Sequence, residues 1–454
     1  MAKKKLQRIK SGLLDRGLSV TKLAIQSSAS LAANTLKHAL SDQEAKDKGF
    51  KKMLETQAKV LAKELGQLKG SLMKVGQMLS LYGEHFFPEE VVDALKSLNE
   101  SSPPLHWDAI EKIIKRRLKP EQLEKLAIEQ EALAAASMGQ VHLATIKDSG
   151  EIICLKVQYP GVSKAIDSDI KTLRSLLALF KLLPHKNGFE EMFQEIKSML
   201  KQEMDYNREL KYTDLMGAFL EGQNEYIVPR TFPEYSGAKI MASSYCPGHG
   251  FDSPEVQSLS QARRNRLGEN FARLFLDELF VHNHVQTDPH FGNYKVKLND
   301  NGDDQIILLD FGALRRFNRK FIDDYRNLLK GAIHKDRDLL VKSATGLGFL
   351  FEDDSQELKD SLVEIAFMAV RPWLQQDASS PDAEDFDEQG FYLWGSSNLP
   401  SLITKKASEY ALTFKLRPPP REVIFLDRKI GGVFITLKTL DARFDAWSMI
   451  QKYI

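Results

Sequence analysis

The chain has 454 residues, 43% hydrophobic and 28% charged, more than one hydrophobic core usually supports and ordinary for a soluble protein of two lobes. Its two cysteines, Cys154 and Cys246, argue against a disulfide-built secreted domain and fit a reducing compartment. The net charge of +1 conceals a basic start: residues 1–40 hold eight Lys or Arg against Asp15 alone, a local +7 that leaves −6 on the remainder.

The basic segment, 1–45, suits an amphipathic helix on an anionic membrane surface; a solvated tail is the open alternative. Its charge is not interleaved with aromatics, so nucleic acid is not an expected partner. No run reaches the roughly 18 apolar residues of a membrane span. "SLLALFKLLP" carries Lys181, and "EVIFLDRKIGGVFITLKTL" is interrupted by Asp427, Arg428, Lys429 and Lys438. The start also lacks an apolar signal core, so the expected location is cytoplasmic, peripheral on the inner face of a membrane.

Residues 46–105 are helical in pattern until the prolines of "SSPPL" end them. Leu61, Leu65, Leu68, Leu72, Val75, Leu79 and Tyr82 form one apolar stripe, with Gly66, Gly70, Met73, Lys74, Gln77 and Leu81 on the other side. A helix-interior glycine costs about 1 kcal/mol relative to alanine, so the glycines predict a second surface at close approach. The alternative for Lys74 and Gln77 is a solvated polar face.

The third segment, 106–245, alternates helix and strand. A helix near 107–118 precedes strands "QVHLATI" and "EIICLKVQ", joined by "KDSG". Helices over about 162–183 and 189–220 lead to short strands at Tyr226–Val228 and Ala238–Ser243. From 246 to 454 helices dominate, apart from "NYKVKLNDNGDDQIILLDFG", which reads as strand, turn, strand. The acidic stretch 375–390 reads as a mobile surface loop.

Chemistry concentrates around that last hairpin. "LLDFG" places Asp310 at a strand end, and upstream "QTDPHFGN" holds Asp288 and Asn293. Phosphoryl transfer needs oxygen ligands for magnesium and a carboxylate that orients or deprotonates a hydroxyl, and these segments supply both. "ICLK" puts Lys156 on a strand after "AAASMGQV". There Ala134, Ala136, Gly139 and Val141 fit the kinase phosphate-loop spacing, with alanines for the first two glycines. An alanine-rich helix start is the open alternative. A kinase lysine in this position pairs with a helical glutamate, and Glu209 in "QEMDYNREL" is the best candidate.

Together these features resemble the UbiB/AarF family of atypical protein-kinase-like proteins, from about Leu61 to the C-terminus. The matching residues are Lys74 to Gln77 (K-x-G-Q), Ala134, Ala135, Ala136 and Ser137, Lys156, Glu203 and Asp205 (E-x-D), Glu209, Asp288, Asn293 and Asp310. The resemblance implies an α+β, two-lobed protein-kinase-like fold with a helical N-terminal extension and a mostly helical C-lobe. It implies ATP and Mg2+ as cofactors, a Lys156–Glu209 ion pair, metal ligation by Asn293 and Asp310, and Asp288 as the catalytic-loop aspartate.

By the same resemblance, backbone near Ser244 to Cys246 receives the adenine, and the extension lies across the kinase-like domain with Lys74 facing Glu203. The implied activity is that of an ATPase or small-molecule kinase in isoprenoid-quinone or lipid metabolism at a membrane surface. A protein kinase and a non-catalytic chaperone-like module are the alternatives. Two departures from protein kinases stand out. Gln286 and Thr287 replace His-Arg before Asp288, and His290 stands where a phosphate-contacting lysine is usual, either to meet phosphate or merely to bond backbone. No A-P-E string follows Gly312.

Overall fold

The computed structural model describes Lys74, Val75, Met78, Leu79, Val92 and residues 104–135, 138–179, 189–375, 382–413 and 420–454. Gln77, Ala136, Ser137, the glycines of the extension and the basic segment lie outside the described residues. The chain forms two compact units, one of residues 1–211 and 230–245, the other of residues 212–229 and 246–454.

The first unit is built on an antiparallel sheet. Helix α1 (Trp107–Arg117) and the short α2 (Pro120–Glu124) precede strands β1 (Leu126–Ala135), β2 (Gly139–Ile146) and β3 (Ile152–Gln158). Helices α3 (Val162–Leu179), α4 (Phe189–Glu203) and α5 (Tyr206–Phe219) follow, the last running on into the second unit. After β4 (Tyr226–Ile227), which belongs to the second unit, β5 (Ile240–Ser244) completes the order β1-β2-β3-β5. Strand alternation explains the core: Ile153, Leu155 and Val157 are fully buried, while Cys154 and Lys156 between them face the other side. Lys74, Val75, Met78 and Leu79 are helical, with Val75 and Leu79 fully buried.

The second unit is mostly helical. Its elements are α6 (Pro254–Gln257), α7 (Gln261–Phe280), β6 (His284–Gln286), β7 (Tyr294–Lys297), β8 (Gln305–Leu308) and β9 (Leu314–Arg316). Helices α8 (Arg319–Ile333), α9 (Arg337–Gly346), α10 (Gln356–Ala369), α11 (Leu399–Thr413), α12 (Arg421–Thr439) and α13 (Ala446–Ile450) follow. A β4-β8-β7 sheet and a β6-β9 pair carry the chemical residues. Helices α7 and α12 pack beside them, burying Phe271, Leu274, Leu279, Leu426 and Val433. No described helix is long and apolar enough to cross a membrane.

Three expectations change. The helix over 189–220 is two helices, broken at Met204 and Asp205, because the Asp205 carboxylate accepts the Arg208 N–H and caps α5. Ala134 and Ala135 lie in strand, not in a loop or a helix start, since their backbones pair with Val141 and Gln140. The described part of the acidic stretch is tied down: Arg371 holds Asp382 at 2.8 Å and Asp385 at 2.9 Å.

Candidate functional site

In the first unit the sheet register sets the row Ala134–Val141–Lys156–Met241 across all four strands. Lys156 Nζ donates to Glu209 Oε1 at 2.6 Å; the carboxylate is 3% exposed and the lysine 28%. The Tyr206 ring stands under the same ammonium, its centroid 5.3 Å away. Tyr206 and Glu209 are three residues apart in the first turn of α5, which brings both to one face. Such a bond, charged at both ends and sheltered on one side, fixes the lysine's direction.

The E-x-D element is a helix junction. Glu203 is the last residue of α4, and its Oε1 lies 2.9 Å from Lys74 Nζ. Asp205 caps the next helix, its carbonyl also accepting the Glu209 N–H at 3.1 Å. The spacing therefore sets Glu203 outward while Asp205 anchors the helix that presents Glu209. Gly139 is required by close approach: a Cβ there would come 2.7 Å from the Val157 carbonyl oxygen and 2.9 Å from the Tyr206 hydroxyl. Beside the junction, burial and then Arg117 push the Lys239 ammonium below the ordinary lysine range, Asp205 acting against them.

At the backbone expected to receive adenine, Ser244 ends β5. Its N–H is committed to the Arg230 carbonyl at 2.8 Å, and the Tyr245 N–H to that of Ile152 at 3.1 Å. Neither Cys246 nor Cys154 forms a disulfide.

In the second unit one side chain ties the chemical segments together. Gln286 donates through Nε2 to the Asp310 carbonyl and accepts the Asp288 N–H on Oε1 at 3.2 Å. Asn293 donates through Nδ2 to the Asp288 carbonyl at 2.9 Å, and the Leu309 N–H donates to the Asn293 carbonyl at 2.9 Å. Thr287 is bonded to the Ala313 carbonyl by its hydroxyl at 2.8 Å. Gln286 and Thr287, in the place of His-Arg, are each 1% exposed, so their work is internal clamping.

Asp310 also accepts the Gly312 N–H on Oδ1 at 2.8 Å, and Phe311 is fully buried. With its nitrogen committed to Asp288, Asn293 presents Oδ1 as its side-chain ligand. Asn293 Oδ1 and the Asp310 carboxylate are hard oxygen donors of the kind that could hold magnesium. Among the described residues no three His, Cys, Asp or Glu converge as a metal cage, and none is needed where phosphates complete the shell. His290 bonds backbone through one ring nitrogen: its Nδ1 accepts the Gly292 N–H at 2.9 Å, capping the turn at Phe291–Asn293.

Three charged residues of this region were not singled out as site residues from the sequence. Arg428 Nη2, on α12, donates to Asp288 Oδ1 at 2.6 Å. Next to it Lys429 lies 2.9 Å from Glu278 Oε2 and 3.2 Å from the Tyr294 hydroxyl, and Glu278 accepts the Gln286 N–H at 3.4 Å. Burial raises the Glu278 carboxyl above its ordinary range against the pull of Lys429. Burial opposes charge on Lys429 too, yet Glu278 and Tyr294 together outweigh it and hold the ammonium above the usual lysine value. The signal was the glycine pair in "DRKIGG". A Cβ on Gly432 would come 2.0 Å from Pro289 Cβ, so the helix must pass directly against the Asp288 segment.

Comparison with known proteins places the chain in a family. The family profile of the ABC1 atypical kinase-like domain matches residues 97–344. Among curated relatives, "Atypical kinase COQ8, mitochondrial" of Schizosaccharomyces pombe is 30% identical over 88% of this chain and 63% of its own length. Its Saccharomyces cerevisiae namesake is 31% identical over 84% of this chain and 73% of its own length. The chain therefore spans about two thirds of these relatives. Among solved structures, Rv3197 of Mycobacterium tuberculosis, determined in complex with erythromycin, is 22% identical. It superposes with a TM-score of 0.58 over 90% of this chain and 98% of its own, a likeness of fold. The chain belongs to the ABC1, or UbiB/AarF, family of atypical kinase-like proteins.

Proposed function

We propose that the chain binds ATP with magnesium and either hydrolyses it or transfers its phosphoryl group to a small molecule or lipid, in support of isoprenoid-quinone metabolism. The observation that carries this reading is the Lys156–Glu209 bond of 2.6 Å, which spends a nearly buried carboxylate on orienting one strand lysine. In the first unit Lys156 would meet nucleotide phosphates. In the second, Asn293 and Asp310 would hold magnesium while Asp288 orients the acceptor hydroxyl. Magnesium held there would neutralise charge developing on the transferred phosphoryl group.

A small acceptor is favoured over a peptide because the chain passes from Gly312 through β9 straight into α8, with no long segment of the kind that receives peptide substrates. The relatives' name, atypical kinase, is consistent with turnover rather than binding alone. We place the protein peripherally at an anionic membrane, where such acceptors partition. The test is ATP hydrolysis with and without anionic liposomes, for wild type, Asp288→Asn and Asp310→Asn. Magnesium-dependent turnover lost in both variants supports the reading. Nucleotide binding with no turnover under any condition overturns it in favour of a chaperone-like module.

A further inference from the structure

We propose that Arg428, on α12, is a positioning residue that holds the Asp288 carboxylate and supplies the cation missing at position 290. The inference rests on the reading of Asp288 as the carboxylate that orients the acceptor. Position 290, where protein kinases usually carry a lysine, holds a histidine whose Nδ1 accepts the Gly292 N–H at 2.9 Å. Arg428 meets Asp288 Oδ1 at 2.6 Å, with both side chains about a quarter exposed. In that half-sheltered setting a charge-assisted bond outlasts one in open water.

The helix that delivers Arg428 is fixed at two points just beyond it. One residue on, Lys429 is locked by Glu278 and Tyr294, and Glu278 in turn accepts the Gln286 N–H. Four residues on, Gly432 lies against Pro289, the residue after Asp288, with no room for a Cβ. Arg315 stacks on Phe425 of the same helix, its guanidinium carbon 3.5 Å from the ring centroid. Packing therefore sets where the Arg428 backbone stands relative to the Asp288 segment. Helix α12 lies beyond residues 97–344, so this part of the site comes from outside the matched domain.

The test compares wild type, Arg428→Ala, Arg428→Lys and Asp288→Asn by ATP turnover, binding of a fluorescent ATP analogue and thermal midpoint. In Arg428→Ala, kcat is expected to fall about 100-fold, the cost of a misplaced catalytic group, with KM for ATP nearly unchanged. Millimolar guanidinium should restore part of that loss in Arg428→Ala and none in Asp288→Asn. Analogue binding and thermal midpoint should stay near wild type, and Arg428→Lys should lie between. If Arg428→Ala does not fold, Arg428→Gln carries the same comparison. Parallel loss of analogue binding and thermal midpoint, with no rescue, overturns the inference and leaves a packing contact. A rise in turnover overturns it too, making Arg428 a brake. Full turnover in Asp288→Asn instead removes the functional reading, and this inference with it.

Discussion

Lys429 and Glu278 form an ion pair of 2.9 Å in which neither side chain is more than 1% exposed, directly beneath the strand that leads to Asp288. Two charges taken so fully out of water are held only by each other and by the bonds around them. Removing one partner strands the other, at a cost of about 3–5 kcal/mol. Lys429→Met and Glu278→Gln should each lose that much in urea denaturation, and the double variant should recover most of it. Additive losses would show that the two side chains act separately.

The Lys156–Glu209 bond separates chemistry from folding differently. Lys156→Met leaves the Glu209 carboxylate, 3% exposed, without that cation, at a cost of about 1–3 kcal/mol. Glu209→Gln removes the buried charge and keeps an acceptor, so its thermal midpoint should fall less. Both variants are expected to lose ATP affinity tenfold or more, about 1.4 kcal/mol. Isothermal titration beside thermal melts distinguishes the two effects.

Adjacent glycines on α12 should respond in opposite directions. A Cβ at Gly431 meets nothing within 4 Å, so Gly431→Ala should stabilise the helix by up to about 1 kcal/mol. The same change at Gly432 drives a methyl into Pro289 and should destabilise by about 1–3 kcal/mol. Turnover should fall in Gly432→Ala alone. Equal melting temperatures in the two variants would contradict the close packing of this helix on the Asp288 segment.

Lys74 and Glu203 are 18% and 30% exposed, so their 2.9 Å pair contributes no more than about 1 kcal/mol to stability. Lys74→Ala should leave the denaturation midpoint almost unmoved while changing ATP turnover. Stability and turnover falling together would reduce this contact to a structural tie.

Much of the site was legible before any coordinate. Alternating apolar residues mark β2 and β3, and an Asn/Asp/Gly turn marks the hairpin of β7 and β8, because period-two burial and turn chemistry are local properties. Less visible was the Ala-rich end of β1: alanine favours helix locally, and only pairing with β2 makes it strand. The three-residue strands β6 and β9 were hidden because each is defined solely by the other. The break between α4 and α5 was hidden because helix-forming residues continue on either side of it, and a single capping aspartate divides them.

The chain by itself determined which chemistry is present: a strand lysine, a helical glutamate, and an aspartate, asparagine and second aspartate at spacings suited to magnesium and phosphate. Tertiary structure decided what supports them. Arg428 stands 140 residues from Asp288, in a stretch whose charges read only as interruptions of an apolar helix. Packing turned those interruptions inward, one to Asp288 and one to Glu278. Local patterns record which way a residue faces, whereas charge complementarity between distant segments appears only once close packing of Gly432 on Pro289 has set their register.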